Sequence, residues 1–398
     1  MSNNRQRVKQ AVVLAAGEGQ RLRPFTALKS KVMIPIVNKP VLQYVIEALA
    51  ANGITEVLLI VGYGLEHVQD YFGSGEQFGV HITYIVQRQQ IGTGHALKQA
   101  KDAVDETFLV LAGDNIIEPQ TISSFVLTQP NSILVKQQDS VSKYGVATLS
   151  GGVLVDLVEN PAEPISNFVN IGIYLLNRKV FEFLEQEVDL PQALNRMVIQ
   201  GEVINVQETQ GSWLDAVYPW DIIKLNQEAM VRAISKIGGI VESGVNVRGI
   251  VQVGRDTIIR SGCYIVGPVV IGENCQIGPN VCLFPSTSIG DGVTLSPFTM
   301  IRNSVIGKST SIGPSSFIED SVIDEGCFLG SHFIARSSDA EIKVDREIHQ
   351  VKCGAFVGED CNIEDGVLVQ PGVMVGDGAR IKSMKVIAGN IPEKSWVV

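Results

Sequence analysis

Residues 269–295 read VVIGENCQIGPNVCLFPSTSIGDGVTL, and an aliphatic side chain stands at every sixth position of this stretch. The period extends on both sides, through Val241, Val247, Val253, Ile259, Ile265, Ile271, Ile277, Leu283, Ile289, Leu295 and Ile301. A period of six fits neither an α-helix nor an alternating strand. It is typical of hexapeptide repeats, in which short strands form the faces of a parallel β-helix and every sixth side chain points into a narrow core.

The same period continues toward the end of the sequence with small irregularities. The register slips by one residue at Ile306 and again at Ile323. After an interruption it resumes through Val351, Val357, Ile363, Val369, Val375, Ile381 and Ile387. The polar interruption near residues 335–350 predicts an exposed loop inserted into one coil. We therefore assign residues 237–398 to a β-helix of hexapeptide repeats.

Residues 1–236 show a different pattern, in which buried strands alternate with helices. Apolar runs predict strands at residues 10–16, 57–61, 82–86 and 108–112, and residues 133–176 are rich in further strands. Helical periods cover residues 41–52, 65–72, 93–101, 178–185, 190–200 and 219–236. This alternation predicts a Rossmann-like α/β domain with a mixed, mainly parallel sheet and with ligands at the carboxyl ends of its strands.

Composition and charge exclude several classes of protein. The 398 residues include 45% hydrophobic residues and 19% charged residues, which excludes a disordered chain. A net charge of −10 argues against nucleic-acid binding. Without an apolar run of about 18 residues we expect a cytoplasmic protein with no membrane contact. The six cysteines form no C-x-x-C pair, so we expect buried thiols.

The loop after the first strand, LAAGEGQRLRPFTALKSK at residues 14–31, is basic in this acidic protein. Gly17 and Gly19 would let the backbone approach a phosphate, and Arg21 and Lys31 would add positive charge. Residues 1–40 carry eight lysines and arginines, including Arg5 and Arg7, against one glutamate. These features predict a binding site for a polyanion.

The series Leu14-Ala15-Ala16-Gly17-x-Gly19-x-Arg21-Leu22, followed by Pro24, Thr26, Lys31, Pro35 and Lys39-Pro40, resembles the N-terminal signature of the sugar-1-phosphate nucleotidylyltransferases. The resemblance implies catalytic roles for Arg21 and Lys31. It implies nucleotide contacts for Leu14, Ala16, Gly17 and Gly19.

A second segment, QRQQIGTGHA at residues 87–96, resembles the pyrimidine-selecting loop of bifunctional N-acetylglucosamine-1-phosphate uridylyltransferases. The resemblance implies that Gln87, Gly92 and Thr93 contact the base. The residues alone also predict a strand end followed by a helix with Thr93 as its cap.

Further segments resemble the family in chain order. Asp114 follows the predicted strand LVLA, and Trp213-Leu214-Asp215 is similar to a later W-x-D segment. The resemblance implies that Asp114 and Asp215 hold Mg²⁺ and that Asp114 is catalytic. It implies sugar-phosphate contacts for Gly145, Glu159 and Asn170. Asn160 departs from the family pattern, in which many relatives have a lysine.

The whole chain resembles bifunctional uridylyltransferase/acetyltransferases, which implies a left-handed β-helix. In those enzymes the β-helix uses acetyl-CoA and a histidine base, but Pro314 stands at the histidine position and Arg336 at an asparagine position. His332 is either a displaced base or a histidine on the coil surface. We therefore expect no acetyl-CoA cofactor and a β-helix that serves assembly, as a homotrimer or a dimer of trimers.

The predicted activity is transfer of a nucleotidyl group from UTP or dTTP to glucose 1-phosphate or N-acetylglucosamine 1-phosphate, with release of pyrophosphate. The base and the sugar remain open at this point. Two alternatives are a bifunctional enzyme that also acetylates an amino-sugar 1-phosphate and a non-catalytic regulatory or scaffold subunit.

Overall fold

The computed structural model describes residues 8–138, 144–161, 163, 165–344 and 347–398. Arg5 and Arg7 of the basic N-terminal region lie outside the described residues. The chain divides into two compact units. The first unit comprises the residues up to Glu18 together with Lys29–Met33 and Val41–Leu214, and the second comprises Gly19–Leu28, Ile34–Pro40 and Asp215–Val398.

The first unit is built on one large sheet, which has nine strands within the described residues. In spatial order the strands are His81–Val86, Glu56–Val61, Gln10–Ala15, Thr107–Ala112, Phe168–Asn177, Ser132–Gln137, Asn205–Glu208, Val153–Glu159 and Gly145–Ser150. The first four run parallel to one another. Phe168–Asn177 is antiparallel to Thr107–Ala112, and most later pairings are antiparallel as well. The sheet is therefore mixed, with its parallel half at the N-terminal end of the chain.

The strand Gln10–Ala15 lies in the parallel half with a neighbour on each side, Glu56–Val61 and Thr107–Ala112. Ala11, Val12 and Val13 are fully buried, which explains the continuous apolar run of this strand. The strands that follow in the chain depart to opposite sides of Gln10–Ala15. Such a reversal opens a crevice at the carboxyl ends of the strands, where α/β sheets bind ligands.

The helices confirm the predicted alternation, with shorter ends. They are Val41–Ala51, Leu65–Phe72, Thr93–Lys98, Pro119–Phe125, Val180–Leu184, Leu190–Ile199 and, in the second unit, Asp221–Met230. Pro119–Phe125 was not predicted, because its seven residues are mostly polar and show little periodicity. Short 3₁₀ turns occur at Gln20–Leu22, Lys31–Met33 and Glu76–Phe78. In the described part of the chain, no helix is long and apolar enough to cross a membrane.

The second unit contains the predicted parallel β-helix, whose short strands form three long sheets. One sheet contains Lys236–Ile237, Val251–Val253, Val269–Ile271, Thr287–Ile289, Val305–Ile306, Val322–Ile323, Phe356–Val357 and Met374–Val375. The next contains Ile240–Val241, Ile258–Ile259, Gln276–Ile277, Thr294–Leu295, Ser311–Ile312, Phe328–Leu329, Asn362–Ile363, Arg380–Ile381 and Trp396–Val397. The third contains Asn246–Arg248, Tyr264–Val266, Cys282–Leu283, Met300–Arg302, Phe317–Glu319, Ile334–Ala335, Leu368–Val369 and Val386–Ile387.

The inward positions predicted from the period of six form the core of this β-helix. Ile271, Ile277 and Leu283 are almost completely buried, whereas Val247 in the first coil is exposed. Val251 pairs with Val269 and Val269 with Thr287, so these coils take 18 residues. Ser288 pairs with Val305, so that coil is one residue shorter. The register slip in the sequence is therefore a shortened turn that leaves the strands aligned.

At the corners of the β-helix, buried thiols and hydroxyls donate hydrogen bonds to carbonyl oxygens of the next coil. The Cys275 thiol donates to the Gly290 carbonyl at 3.1 Å, and the Thr257 hydroxyl donates to the Gly272 carbonyl at 2.7 Å. The Cys327 thiol donates to the Gly358 carbonyl at 3.1 Å. All six cysteines are free, and the prediction of buried thiols is confirmed for five of them, since Cys282 is only half-buried. Burial raises the pKa of the Cys353 thiol to about 11, so it remains protonated.

The interruption of the repeat is a β-hairpin rather than the predicted loop. Ser338–Val344 pairs antiparallel with Glu347–Cys353, and Val351 belongs to this hairpin instead of the coil interior. The first of the two strands alternates polar and apolar residues, with Ala340, Ile342 and Val344 at every second position, as is typical of a strand with one buried face. After the hairpin the coil resumes, with the Gly354 N–H donating to the Asp320 carbonyl at 2.8 Å.

Two N-terminal segments and one helix belong to the same unit as the β-helix. Pro35–Ile36 pairs with Lys39–Pro40, and the Asn38 amide donates to the Ile289 carbonyl at 2.7 Å. The buried Asn226, on Asp221–Met230, accepts the Val37 N–H at 3.0 Å and donates to the Ser286 carbonyl at 3.0 Å. This helix ends six residues before the predicted end, because Lys236–Ile237 forms a β-helix strand.

Candidate active site

The carboxyl ends of Gln10–Ala15 and Thr107–Ala112 meet at Gly113. The Gly113 N–H donates to the Leu14 carbonyl at 2.9 Å, and a Cβ at Gly113 would lie only 3.2 Å from that oxygen. Glycine at this position therefore allows the two strand ends to approach. The next residue, Asp114, forms an ion pair with Lys31, and both side chains are about one-fifth exposed, at 19% and 18%. The structure thus brings together two residues predicted to be catalytic.

Gly17 lies just beyond the first strand and is exposed. A Cβ built at Gly17 would meet no heavy atom within 4 Å. Neither packing nor a left-handed backbone requires glycine here, since the φ angle of Gly17 is not positive. The missing side chain leaves open space at the end of the strand, as the predicted phosphate approach would require.

Gln87 occupies the end of the strand His81–Val86, and its side chain is buried. Its amide nitrogen lies 3.2 Å from the Gly92 carbonyl oxygen and 2.9 Å from Nδ1 of His95. Gln87 thereby fixes the shape of the predicted base-selecting loop from inside.

The Gly92-Thr93-Gly94 turn packs tightly against the segment before the helix Leu190–Ile199. A Cβ at Gly92 would lie 2.4 Å from the Val188 carbonyl oxygen, and one at Gly94 would lie 2.7 Å from the Leu184 side chain. These distances are too short for any side chain. The two glycines are therefore required for the close approach of these two segments of the chain.

Thr93 and the start of that neighbouring helix exchange hydrogen bonds. The Thr93 N–H donates to Oδ1 of Asp189 at 3.2 Å, and the Leu190 N–H donates to the Thr93 hydroxyl at 3.1 Å. The prediction that Thr93 caps its own helix is wrong, because Gly92 occupies the cap position and Thr93 is the first helical residue. The Thr93 hydroxyl instead satisfies an N–H group of Leu190–Ile199.

Asp189 was not identified from the sequence. It stands at the N-cap position of Leu190–Ile199 but makes no side-chain bond to that helix. An aspartate before a Leu-Pro helix start indicates only an ordinary cap. Its bond to Thr93, 96 residues away, has no local signal in the sequence.

The predicted sugar-phosphate residues form a second group in the antiparallel half of the sheet. A Cβ at Gly145 would lie 2.5 Å from Oε1 of Glu159, so glycine makes room for that carboxyl. Asn170 donates from Nδ2 to the Tyr174 hydroxyl at 2.7 Å and accepts the Gly172 N–H at 3.2 Å. The orientation of the Asn170 amide is therefore fixed before any ligand binds.

The charge of Glu159 is disfavoured in this group. Desolvation raises the pKa of the Glu159 carboxyl, and the negative charge of Asp189 raises it further. Burial, together with the charge of Glu159, also raises the pKa of Tyr174. Asp189, which accepts the Thr93 N–H, therefore also acts electrostatically on Glu159. Asn160 is exposed, and its N–H donates to the Tyr144 carbonyl at 3.2 Å.

Three predicted site residues, Gly19, Arg21 and Asp215, belong to the second unit. Gly19 has a φ angle of 70°, and its carbonyl accepts the Thr26 hydroxyl at 2.7 Å, so a turn requires this glycine. Arg21 is exposed on the 3₁₀ turn Gln20–Leu22. Asp215 ends the strand Trp213–Asp215. The roles of all three residues stay predictions.

The β-helix residues weighed for acetyl transfer lie on coil turns or coil surfaces. His332 is exposed, has a φ angle of 57° and donates its N–H to the Pro314 carbonyl at 2.9 Å. The Arg336 guanidinium lies 5.3 Å from the centre of the Phe317 ring. His332 therefore occupies a corner of the coil, as expected for a surface histidine.

Comparison with known families assigns both parts of the chain. Residues 10–229 match the family model described as nucleotidyl transferase, and residues 247–339 match the model described as GMPPB C-terminal domain. The second match was not anticipated from the repeat pattern. Together the two models span most of the two regions recognised in the sequence.

Two relatives are similar to this chain over nearly its whole length. "Bifunctional protein GlmU" of Methanococcus maripaludis (strain C5) is 33% identical over 406 residues, which cover 97% of this chain and 96% of that protein. A "bifunctional sugar-1-phosphate nucleotidylyltransferase/acetyltransferase" of Sulfurisphaera tokodaii is 33% identical over 390 residues, covering 93% and 95%.

A solved structure from Bacillus anthracis, assigned as a glucose-1-phosphate thymidylyltransferase in complex with sucrose, is similar to part of the fold. It has a TM-score of 0.52 and 28% sequence identity. The similarity covers 57% of this chain and 96% of that one.

Proposed function

The chain belongs to the nucleotidyl transferase family, and on this premise we propose that it transfers a nucleotidyl group from UTP or dTTP to a hexose 1-phosphate. Glucose 1-phosphate or N-acetylglucosamine 1-phosphate is the acceptor, a nucleotide sugar is the product and pyrophosphate is released. Family membership and a relative named as a transferase support an enzyme over the alternative of a non-catalytic subunit.

One observation carries this proposal. Lys31 and Asp114 form an ion pair where the strands Gln10–Ala15 and Thr107–Ala112 end, in the sheet region where α/β folds bind ligands. Gly17 leaves open space at the end of the first of these strands. A cation, a carboxylate and an unobstructed backbone are the groups that phosphoryl transfer needs.

The reaction is an in-line displacement at the α-phosphorus. A phosphate oxygen of the sugar phosphate forms a bond to that phosphorus while the bond to the bridging oxygen breaks, and pyrophosphate leaves with the electron pair. The nucleophile is already an anion, so the site needs no strong general base. It must hold two polyanions together and offset their charge, which we assign to Arg21 and Lys31.

We assign Mg²⁺ binding to Asp114 and Asp215. The donor chemistry fits, because Mg²⁺ prefers oxygen ligands, and the Asp114 carboxylate already faces a cationic group, the Lys31 ammonium. Among the residues that the structure describes, no group of three or more His, Cys, Asp or Glu side chains could hold a metal ion. Mg²⁺ commonly needs only one or two carboxylates besides waters and substrate phosphates. When bound, it would supply positive charge to the phosphate oxygens.

The remaining predicted residues divide between the two substrates. We assign the nucleotide to Leu14, Ala16, Gly17, Gly19, Gln87, Gly92 and Thr93. We assign the sugar phosphate to Gly145, Glu159 and Asn170. The fixed amide of Asn170 and the paired hydrogen bonds of Thr93 support these roles, because preorganised groups lose little entropy when a ligand binds.

Pyrophosphate release measured with four nucleoside triphosphates against several sugar 1-phosphates tests the proposal. We expect activity with UTP or dTTP and a glucose-type sugar phosphate, and loss of activity when Mg²⁺ is chelated. Absence of pyrophosphate release from every combination would contradict it.

The relatives' names give a second candidate, acetyl transfer by the β-helix. They stand against the expectation that acetyl-CoA is not used. Pro314 at the histidine position and the exposed, corner-placed His332 nevertheless support a β-helix without a base for this reaction. We propose that acetyl-CoA is not a cofactor. Formation of N-acetylglucosamine 1-phosphate from glucosamine 1-phosphate and acetyl-CoA, lost in His332→Ala, would show the opposite.

The division of labour along the chain is also proposed. We assign substrate binding to residues 1–236 and assembly to the β-helix of residues 237–398, as a homotrimer or a dimer of trimers. Light scattering of the full chain tests the oligomeric state. The cytoplasmic location and the absence of nucleic-acid and membrane partners stay predictions.

A further inference from the structure

The hairpin strands Ser338–Val344 and Glu347–Cys353 add nothing to the sheets of the β-helix. In the described part of the chain, the two strands of this hairpin pair only with each other. Its first strand packs on the coil, because a Cβ at Gly372 would lie 2.9 Å from Cγ1 of Ile342 and 3.0 Å from Cβ of Ala340. Ile342 is buried by this contact. The direction of the hairpin is therefore fixed by packing.

The second strand of the hairpin contacts the segment that follows Asp215. The Tyr218 hydroxyl donates to Oε2 of Glu347 at 3.0 Å. The ring of His349 lies 4.5 Å from that of Tyr218 and 5.2 Å from that of Trp220, between centroids. Tyr218 and Trp220 stack at 4.7 Å. Two side chains of the hairpin thus hold two aromatic residues of this segment.

The segment that follows Asp215 is also stabilised by a hydrogen-bonded turn of its own. The buried Asp221 carboxylate accepts the N–H groups of Val217 and Tyr218 at 3.2 Å and 2.9 Å. Nε2 of His349 is 3.5 Å from Oε2 of Glu347. Asp221 therefore stabilises the backbone turn after Asp215, and the hairpin contacts the side chains of the same segment.

Tyr218 lies within electrostatic reach of Arg21. Burial, the hydrogen bond to Glu347 and the charge of Glu347 raise the pKa of Tyr218 to about 12, while the Arg21 guanidinium acts in the opposite direction. Arg21 and Asp215 are residues to which the proposed function gives phosphate and metal roles. The charge of Arg21 acts on the Tyr218 hydroxyl, and Tyr218 follows Asp215 by three positions in the chain.

We propose that the hairpin of the β-helix is part of the transferase machinery, in which Glu347 and His349 act as positioning residues for Tyr218 and for the segment that follows Asp215. The proposal rests on the proposed function, because it assigns an effect on nucleotidyl transfer. Glu347 and His349 need no contact with substrate for this role. They restrict the conformations of a segment whose placement decides how well the triphosphate is aligned.

The test compares Tyr218→Phe, Glu347→Ala and the double variant with the intact chain in steady-state pyrophosphate release. One hydrogen bond is lost in each, so we expect kcat/KM for the nucleoside triphosphate to fall about 3- to 10-fold. Both single variants remove the bond between Tyr218 and Glu347, so the losses should be less than additive in the double variant. Glu347→Gln retains an acceptor oxygen and should recover most of the loss.

Glu341→Ala is the matched control. Glu341 lies on the other strand of the hairpin, where it accepts a hydrogen bond from Gln350 at 3.1 Å on the exposed surface. We expect its kinetic constants to equal those of the intact chain. Thermal unfolding of every variant separates positioning from stability, since loss of the Tyr218 bond should leave the melting temperature within the range of the control.

Two results would overturn the proposal. One is equal kinetic constants for Glu347→Ala and Glu341→Ala, and the other is strictly additive losses in the double variant. Absence of pyrophosphate release from the intact chain would instead refute the proposed function. In that case Mg²⁺ and UTP are titrated into the intact chain and into Glu347→Ala, and the change in tryptophan fluorescence on binding is compared between the two. An unchanged ligand response would then refute the hairpin proposal as well.

Discussion

Glycine has opposite functions in the β-helix and at the carboxyl edge of the α/β sheet. A Cβ at Gly307, at a β-helix corner, would lie 2.5 Å from backbone atoms of Asp324 and Glu325 in the next coil. A Cβ at Gly17 would meet nothing within 4 Å. In one region the missing side chain admits another part of the protein. In the other it leaves open space at the end of the first strand of the sheet.

The largest effect is expected at the carboxyl edge of the sheet, where Lys31 and Asp114, the residues that we assign to the reaction, form an ion pair. Asp114→Ala removes the partner of Lys31 and a proposed Mg²⁺ ligand. We expect turnover to fall by at least about 100-fold, the range seen when a group that stabilises the transition state is lost. Pyrophosphate release gives the rate, and circular dichroism shows whether the fold persists. Near-normal turnover in a folded variant would remove Asp114 from the site.

The next effect is expected in the β-helix and concerns stability. Gly307→Ala places a methyl group against the backbone of the adjacent coil, so the coils must separate. Overpacking of this kind costs about 1–3 kcal/mol in free energy of unfolding. Gly389→Ala is the control, because a Cβ there meets nothing within 4 Å. Equal denaturant midpoints for the two variants would show that the coils tolerate the methyl group.

Gly17→Ala should reverse this result. We expect an unchanged free energy of unfolding, since the new methyl group meets no protein atom. We expect KM for the nucleoside triphosphate to rise about tenfold, which corresponds to ~1.4 kcal/mol of lost binding. Denaturant titration and substrate titration of the same preparation check both. A destabilised variant with unchanged KM would assign Gly17 to packing.

The smallest effect concerns the pH dependence of stability, which one carboxyl group in each region should change in opposite directions. The pKa of Glu159 is raised above its usual 4.5 by desolvation, so ionised Glu159 destabilises the folded protein once the pH exceeds that value. Glu159→Gln should therefore raise the melting temperature relative to the parent more at pH 7 than at pH 4.

Glu273 in the β-helix gives the opposite sign. A hydrogen bond from Arg255, 2.9 Å away, lowers the pKa of Glu273, so its charge stabilises the fold above pH 4.5. Glu273→Gln should lower the melting temperature at pH 7 and not at acidic pH, by a small amount because the pair is exposed. The same sign for both variants would contradict the contrast.

The two regions also differ in how far the sequence predicts them. Ile271, Ile277 and Leu283 could be placed in the β-helix core because each coil repeats its neighbour, so one periodic pattern determines many contacts. The buried strands of the α/β sheet were predicted for a similar reason, from continuous apolar runs.

The site depends on contacts that no pattern repeats. Lys31 and Asp114 could be named as candidates, but their ion pair depends on the strand order of the sheet. The bond between Thr93 and Asp189 joins residues far apart in the chain, and an aspartate at a helix start already has an ordinary explanation. The hairpin left a signal, the alternation of Ala340, Ile342 and Val344, that the polar composition of the segment obscured.

The stacking of the coils has a consequence for how this chain can acquire new parts. Ala335 and Val357 flank an excursion of the chain, yet Ala335 pairs with Val369 and Ile323 pairs with Val357 as though the chain were continuous. A coil interacts with the coils above and below it, so the length of a detour between strands does not affect their alignment. An insertion at one corner of the β-helix can therefore make or lose contacts with other segments while the core residues stay unchanged.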